Sequence, residues 1–345
     1  MQIRHLQGLF ATICLFIFVY MKHVSILVLK GAKLNSIEIP REAFKEVNNF
    51  LIASGKEPLF NVHLVGTSRE EQLNDGLYTV KINSLLKDIK QTDLIIIPAM
   101  HGDLNIALKL NSEFIPWIVE QHYRGSEVAS LCVGAFLLAS TGLLNGKQCS
   151  THWRAADDFR KNFPNVNLVV DKIITDETGI YSSGGALSSA NLILYLVEKY
   201  AGREVALNCT KMFQVDINRK SQSPFIIFKR QKEHKDKSII KAQEYIENNF
   251  QSKITVDQLA SMLALSRRNL ERRFKKATSN TVIEYVQRVK VEAAKMSFES
   301  SNENINEVMY KTGYSDPKAF RTIFKKFTGL SPIQYRNKYN RAALA

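Results

Sequence analysis

GYSDPKAFRTIFKKFTGLSPIQYR, Gly313–Arg336, is the stretch whose reading decides this chain, because its second half has a counterpart fifty residues upstream. FKKATSNTVIEY begins at Phe274 and FKKFTGLSPIQY at Phe324. Phe274/Phe324, Lys275/Lys325, Lys276/Lys326, Thr278/Thr328, Ile283/Ile333 and Tyr285/Tyr335 are identical pairs. Internal repetition marks one supersecondary unit used twice. In the first copy, Val256–Leu263 has helical spacing after Thr255 as N-cap, Ala264–Leu265 makes a tight connection, and Ser266 caps a second helix running to Lys276. In the second copy, Ile305–Lys311 is the short helix, Gly313 the turn, and Ser315 or Asp316 the cap of a helix running to Lys326. Short helix, tight turn and basic second helix describe two helix-turn-helix units, at about 255–276 and 305–326. Thr281–Ser300 would join them as one long helix.

Charge follows the repeat. The chain has 345 residues and a formal net charge of +14, and Gln231–Ala345 holds 22 Lys/Arg against 12 Asp/Glu. A concentrated positive field favours a polyanion, since neutralised phosphates release condensed counterions. The alternative is a helical bundle whose basic face is only solvated. Leu259, Leu263, Leu270 and Phe274 would hold the first pair of helices together, leaving Arg267, Arg268, Asn269, Arg272 and Arg273 for the outer face. The second unit offers Lys318, Arg321, Thr322 and Lys325. Arg and Asn side chains can make paired hydrogen bonds to base edges, and two joined units can enter successive major grooves about 34 Å apart.

Residues 238–339 resemble the DNA-binding domain of AraC/XylS-type transcription regulators, most specifically through Gly313–Arg336 and next through LASMLALSRRNLERRFKK, Leu259–Lys276. The resemblance places Arg268, Glu271 and Arg272, and Lys318, Arg321 and Thr322, at DNA-contact positions. Glu271 is unusual at its place; it would accept from a cytosine amino group or orient an arginine.

Upstream, the texture is different. From His23 to about Ala201, short apolar runs alternate with helical stretches, as in a parallel α/β sheet. His23–Lys30, Asn61–Val65, Asp93–Pro98 and Glu127–Leu131 read as strands buried on both faces. Pro40 is expected to open a helix carrying Phe44, Val47 and Leu51; Asp171–Tyr181 reads as a hairpin and Ala186–Tyr200 as a long helix. The fold class expected is therefore a three-layer α/β domain over 22–215, a polar and charged linker over 216–237, and an all-α double helix-turn-helix domain over 238–340.

SLCVGAFLLASTGLLNGKQCSTHW, Ser130–Trp153, resembles the segment around the nucleophile elbow of class I glutamine amidotransferase-like proteins, and in particular the PfpI-like domain fused to AraC domains in GlxA-type regulators. That likeness covers about residues 22–215 and implies a flavodoxin-like sheet. A helix N-terminus favours a thiolate, so Cys132 is a candidate for reactivity. His152 is the nearest imidazole in the motif, and His101, Ser183 and Gly184 are candidates for lining the crevice at the carboxyl edge of the sheet. The pattern also departs from its relatives. Ser36 stands where they commonly carry an acid, with Glu38 out of register, and Asn191 replaces an Asp. No catalytic residue is assigned with Cys132, and no metal site or cofactor is expected.

Four cysteines (Cys14, Cys132, Cys149 and Cys209) without a CxxC pair exclude a disulfide scaffold and a zinc finger, and point to reduced thiols. The apolar stretch Leu9–Met21 is short for a membrane span, which needs roughly 20 residues. Residues 1–21 are expected to be an over-extended start or an appendage. Together these readings predict a cytoplasmic, homodimeric regulator that binds promoter DNA and a small-molecule effector, works with RNA polymerase as an activator, and is not an enzyme. The competing class is a cysteine-dependent hydrolase or hydratase, or a thiol redox sensor, tethered to a DNA-binding module.

Overall fold

The computed structural model describes residues 21–340; the expected over-extended start, like Cys14, lies outside the described residues. In chain order the elements are β1 (Lys22–Leu27), α1 (Leu34–Ala53), β2 (Phe60–Gly66), β3 (Glu70–Leu73), β4 (Tyr78–Lys81), β5 (Ser84–Leu85) and β6 (Leu94–Ile97). There follow α2 (Leu104–Leu110), α3 (Phe114–Tyr123), β7 (Glu127–Ser130), α4 (Ala135–Ser140), β8 (Gln148–Cys149), α5 (Ala156–Asn162), β9 (Asn167–Leu168), β10 (Ile174–Asp176), β11 (Ile180–Ser183), α6 (Ser188–Ala201) and α7 (Arg203–Phe213). The last part is helical: α8 (Lys237–Asn249), α9 (Val256–Met262), α10 (Arg267–Thr278), α11 (Val282–Ser300), α12 (Ile305–Lys311), α13 (Pro317–Thr328) and α14 (Pro332–Tyr339).

The chain forms two compact units. The first takes in the described residues through Cys149, then Phe163–Asn167 and Ile174–Asn218; the second takes in Ser150–Asn162, Leu168–Ile173 and the described residues from Arg219 onward. In the first unit, seven strands form one sheet in the order β10-β11-β7-β6-β1-β2-β5, parallel except for β10. All four residues of the central strand β6 are fully buried, which is why its sequence LIII shows no polar alternation. Helices α1, α6 and α7 pack together, and α2, α3 and α4 form a second group, giving the expected α/β layering.

One expectation about a helix start is corrected. Pro40 does not open the first helix; α1 begins at Leu34 and Pro40 lies inside it. Burial of Ile37 and the hydroxyl of Ser36, which donates to Lys33 O (2.6 Å) and accepts from Ala99 N (3.1 Å), secure the extra turn ahead of the proline. The polar hairpin β3–β4 and the helix α7 were not legible as elements from apolar spacing.

The helices of the second unit follow the repeat. Thr255, Ser266, Thr281, Asn304, Asp316 and Ser331 each accept a backbone N–H as N-caps, three of them in reciprocal capping boxes. Two apolar clusters result. Ile239, Ile246, Leu259, Leu270, Phe274, Val282 and Tyr285 form one; Val291, Phe298, Val308, Phe320, Phe324 and Tyr335 form the other. The repeated aromatic pairs keep the same edge-to-face geometry, Phe274–Tyr285 at 5.3 Å and 83°, Phe324–Tyr335 at 5.4 Å and 83°. Each repeat tyrosine then donates to a glutamate, Tyr285 to Glu247 (2.7 Å) and Tyr335 to Glu299 (2.5 Å). Burial and the adjacent carboxylate push both phenols up from their usual range.

The stretch 216–237, expected to be a linker, forms from Ile226 onward a strap bound to these helices. Lys295 donates to Ile226 O (2.7 Å), Phe228 N to Glu292 (3.2 Å), Gln243 to Arg230 O (2.9 Å), and Asn280 to Gln231 (2.8 Å). The aromatic and aliphatic residues within its charged run are what the run conceals: Phe228 packs on Tyr285 at 5.1 Å.

The two helix-turn-helix turns differ in the space they leave for a side chain. Gly313 has φ +75°, and a Cβ there would lie 2.0 Å from Gln251 O; Ala264 occupies the equivalent turn with φ +51°. Left-handed backbone costs an L-residue roughly 1–2 kcal/mol. Gly313→Ala is therefore expected to lower the unfolding free energy by roughly 2–4 kcal/mol through strain and clash, while Ala264→Gly is neutral or stabilising by up to ~1 kcal/mol. Phe274→Ala and Phe324→Ala should each cost roughly 3–5 kcal/mol as core truncations. Urea unfolding of the four variants checks the set.

Candidate nucleic-acid interface and the elbow at Cys132

In α10 the apolar stripe Leu270 and Phe274 faces the first cluster, so helical geometry turns Arg267, Arg268, Glu271, Arg272, Lys275 and Lys276 to the exposed side. Arg268, Glu271, Arg272, Lys275 and Lys276 line one side of a groove whose other side is Thr281–Ile283, at the start of α11. Arg267 is held by Asp257 (3.0 Å) and Glu271 (3.3 Å), and Arg272 donates to Asn269 (3.1 Å). Glu271 thus orients an arginine in this state. Arg273 lies apart from the exposed face on which it was expected. It is half-buried, and its guanidinium makes a two-pronged contact with Asp236 at 2.9 and 2.5 Å.

In α13 the same logic buries Phe320 and Phe324 and exposes Lys318, Arg321, Thr322, Lys325 and Lys326. Asp316 caps the helix through Lys318 N (2.9 Å) and Ala319 N (3.1 Å), and Pro317 occupies the first turn, where its missing N–H is harmless. Thr322 donates its hydroxyl to Lys318 O (2.8 Å) and retains acceptor capacity. Lys275 and Lys276 lie on the same exposed face but are not among the contact residues expected from the sequence. The signal was in the repeat, which aligns Lys275 with the expected Lys325.

The first unit builds the elbow. Cys132, two residues past the end of β7, has φ +55°, the left-handed conformation that a sharp strand-to-helix turn demands, and a single 3-10 turn leads from it into α4. Gly134 makes the turn fit: a Cβ there would lie 2.6 Å from Pro98 O and 2.7 Å from Ile97 O. Ser183 accepts from Cys132 N (3.3 Å), so Ser183 reaches the elbow from the end of β11; the buried Gly184 follows it in the chain. On the neighbouring loops, His101 N donates to Gly31 O (2.8 Å), bringing an exposed His101 to the carboxyl edge.

The electrostatics run against the expected thiolate. Cys132 is 4% exposed, and burial pushes its thiol above the ordinary value despite backbone N–H groups of Ala186 and Val133. Ser36 is buried and fully engaged in holding α1, while Glu38 is paired with Arg41 (2.6 Å) on the surface. His152 belongs to the second unit, where its Nδ1 accepts from Arg154 N (3.1 Å) as the cap of a short 3-10 helix. Asn191 donates to Asp216 O (2.7 Å), a structural bond. Among the described residues no group of three or more potential metal ligands occurs.

Residues 22–199 match the DJ-1/PfpI family model, and residues 259–338 match a helix-turn-helix domain model. The chain belongs to the DJ-1/PfpI family. Its C-terminal part is a helix-turn-helix domain. The HTH-type transcriptional regulator GbdR of Pseudomonas aeruginosa is 25% identical over 236 residues, which are 68% of this chain and 64% of that protein, so the match spans somewhat under two thirds of this relative. CdhR, an HTH-type transcriptional regulator of the same species, is 21% identical over 279 residues, 81% of this chain and 82% of that protein. A solved transcriptional regulator protein from Vibrio parahaemolyticus superposes with a TM-score of 0.51 at 24% identity, covering 57% of this chain and all of that one, and supports the fold.

Two outcomes are expected from this geometry. Cys132 in this DJ-1/PfpI domain should alkylate at pH 7 at least ~10-fold more slowly than free cysteine, with its rate still climbing above pH 9, as iodoacetamide labelling read by mass spectrometry would show. The second concerns Asp236, whose carboxyl is held below its usual range chiefly by Arg273. A lowered folded-state value means the stabilisation is complete above about pH 5 and is lost as pH falls through that value. Asp236→Asn should therefore be less stable than the parent by up to ~1 kcal/mol at pH 7, and the gap should close in acid.

Proposed function

We propose that this DJ-1/PfpI-family chain is a sequence-specific, double-stranded-DNA-binding transcription regulator of promoters. The observation that carries this reading is the repeat: two capped helix-turn-helix units built on one helix, α11, each exposing basic side chains on the face opposite its aromatic core. Arg268 and Arg272 in α10, and Lys318, Arg321 and Thr322 in α13, are the proposed base or phosphate contacts, with Lys275 and Lys325 on the flanks. The relatives named as HTH-type transcriptional regulators support it.

The finer points are part of the same proposal. The protein acts in the cytoplasm as a homodimer, recruits RNA polymerase as an activator, and responds to a small-molecule effector. No helix among the described residues is long and apolar enough to cross a membrane, which is compatible with that placement. Catalysis has been lost from the elbow. The raised Cys132 thiol, the exchange of an acid for Ser36 and the engagement of His152 elsewhere support this. A second reading, a thiol-dependent hydrolase, draws on the retained strained turn at Cys132. It predicts an activity that Cys132→Ala abolishes while DNA binding survives.

The test is selection from a random duplex pool with the full-length protein at near-physiological salt. A motif spanning two successive major grooves is expected; uniform, salt-sensitive retention without enrichment contradicts the proposal. With the selected site in hand, Arg272→Ala and Arg321→Ala should each weaken specific binding by about 1–3 kcal/mol and relax the preference at one position, as gel-shift titration would measure.

A further inference from the structure

The second unit contains a cavity of about 460 Å3 that neither the elbow nor the recognition face uses. Its wall brings together Arg160 of α5, Phe228 and Lys229 of the strap, Asn280, Arg288 of α11, and Phe327 near the end of α13. Arg288 is the centre of this arrangement. Its guanidinium lies 4.7 Å from the Phe327 ring centroid and 5.7 Å from that of Phe228. Its Nε donates to a neutral amide, Asn280 Oδ1 (2.9 Å), rather than to a carboxylate. The wall as a whole carries five cationic side chains and two carboxylates. One of those carboxylates, Asp157, is already taken up by Arg160 (3.2 Å) and Gln231 (2.9 Å). Burial holds Arg288 below its ordinary value; the Glu284 carboxylate offsets part of this, and the nearby Arg160 cation adds to it. An anion entering beside this half-buried guanidinium would offset part of its burial cost.

We infer that this cavity binds a small organic acid, with its carboxylate on Arg288 and Arg160 and its apolar body against the phenylalanines. The volume lies within the range typical of small-ligand pockets, and an aromatic wall with a few convergent charges is their usual chemistry. A ligand there would touch Ser279, which ends α10, and Phe327, in the last turn of α13, and so would contact the ends of both recognition helices. Its role as the regulator's effector site rests on the function proposed above; the binding itself does not.

The experiment is calorimetric titration of the full-length protein, without DNA, using hexanoate and 3-phenylpropanoate as acids and hexanamide as the neutral probe. Saturable binding of at least one acid is expected, with hexanamide at least ~10-fold weaker. Arg288→Gln should weaken the acid by about tenfold or more. Because Arg288 also packs between rings, Arg160→Gln, an exposed position, provides the parallel variant; it too should weaken binding severalfold while Cys132→Ala leaves it unchanged. Absence of saturable binding by both acids, equal binding of the amide, or insensitivity to Arg160→Gln and Arg288→Gln overturns the inference. Loss of binding in Cys132→Ala with the arginine variants intact would overturn it too, by placing the ligand at the elbow. Since no DNA is present, these outcomes stand apart from those of the duplex selection.

Discussion

The helical unit depends on α11 serving two cores with one backbone. Val282 and Tyr285 near its start belong to the first apolar cluster, and Val291, Ala294 and Phe298 further along belong to the second. A rigid helix rises about 1.5 Å per residue, so the separation of the two clusters is set by residue count rather than by a flexible joint. That explains why buried lysines are tolerated on this helix. Lys290 donates to Gly313 O (2.9 Å) and Lys295 to Ile226 O (2.7 Å), pinning the second turn and the strap to the same beam. Burial pushes Lys290 down from its ordinary value, and the carbonyl it reaches offsets part of that penalty. The turn glycine is then required twice over, for its φ and for the space its missing Cβ leaves beside Gln251 and Lys290.

The elbow geometry of the first unit has packing reasons of its own, separate from any chemistry at Cys132. The elbow is built by backbone demands: a left-handed Cys132, a Gly134 pressed on the end of β6, and a hydroxyl at Ser183 for the Cys132 amide. These features also let β7 turn tightly into α4, so they persist on packing grounds alone. On the proposed reading catalysis is lost here: nucleophilic catalysis needs a base or carboxylate at the thiol, whereas Ser36 bonds to Lys33 O and Ala99 N and His152 Nδ1 accepts from Arg154 N. Burial is what holds the Cys132 thiol above its ordinary value.

Much of this was legible in the sequence, for reasons specific to each segment. The helix-turn-helix units could be read because caps, turn residues and apolar spacing agree, as at Thr255, Ser266 and Asp316. The central strands were readable as uninterrupted apolar runs such as Leu94–Ile97. The failures have an equally local cause. EEQL and YTVK pair as a solvent-facing hairpin with little apolar content, so period-2 patterning gives no signal. The strap around Phe228 is masked by the charges that flank it. Arg273 belongs to a run of arginines whose individual directions depend on helical phase and on Asp236, which lies 37 residues earlier.

The two recognition surfaces are not electrostatically equivalent, although their cores are near copies. In α10 the basic residues begin inside a local network, Arg267 with Asp257 and Glu271, and Arg272 with Asn269. In α13, Arg321 and Lys325 are exposed on a face whose only side-chain acid in the first turn's vicinity, Asp316, is turned to capping. On the proposed reading, a duplex meeting α10 must exchange existing polar contacts for new ones, so net gain arises only where base edges or phosphates satisfy the displaced groups as well. A duplex meeting α13 gains charge neutralisation with little internal exchange. The first helix is thereby suited to discrimination between sequences, and the second to attraction and positioning. Such a division also gives the strap and the cavity beside Arg288 a place to act, because both adjoin the residues that end α10 and α13 rather than the faces that would touch DNA.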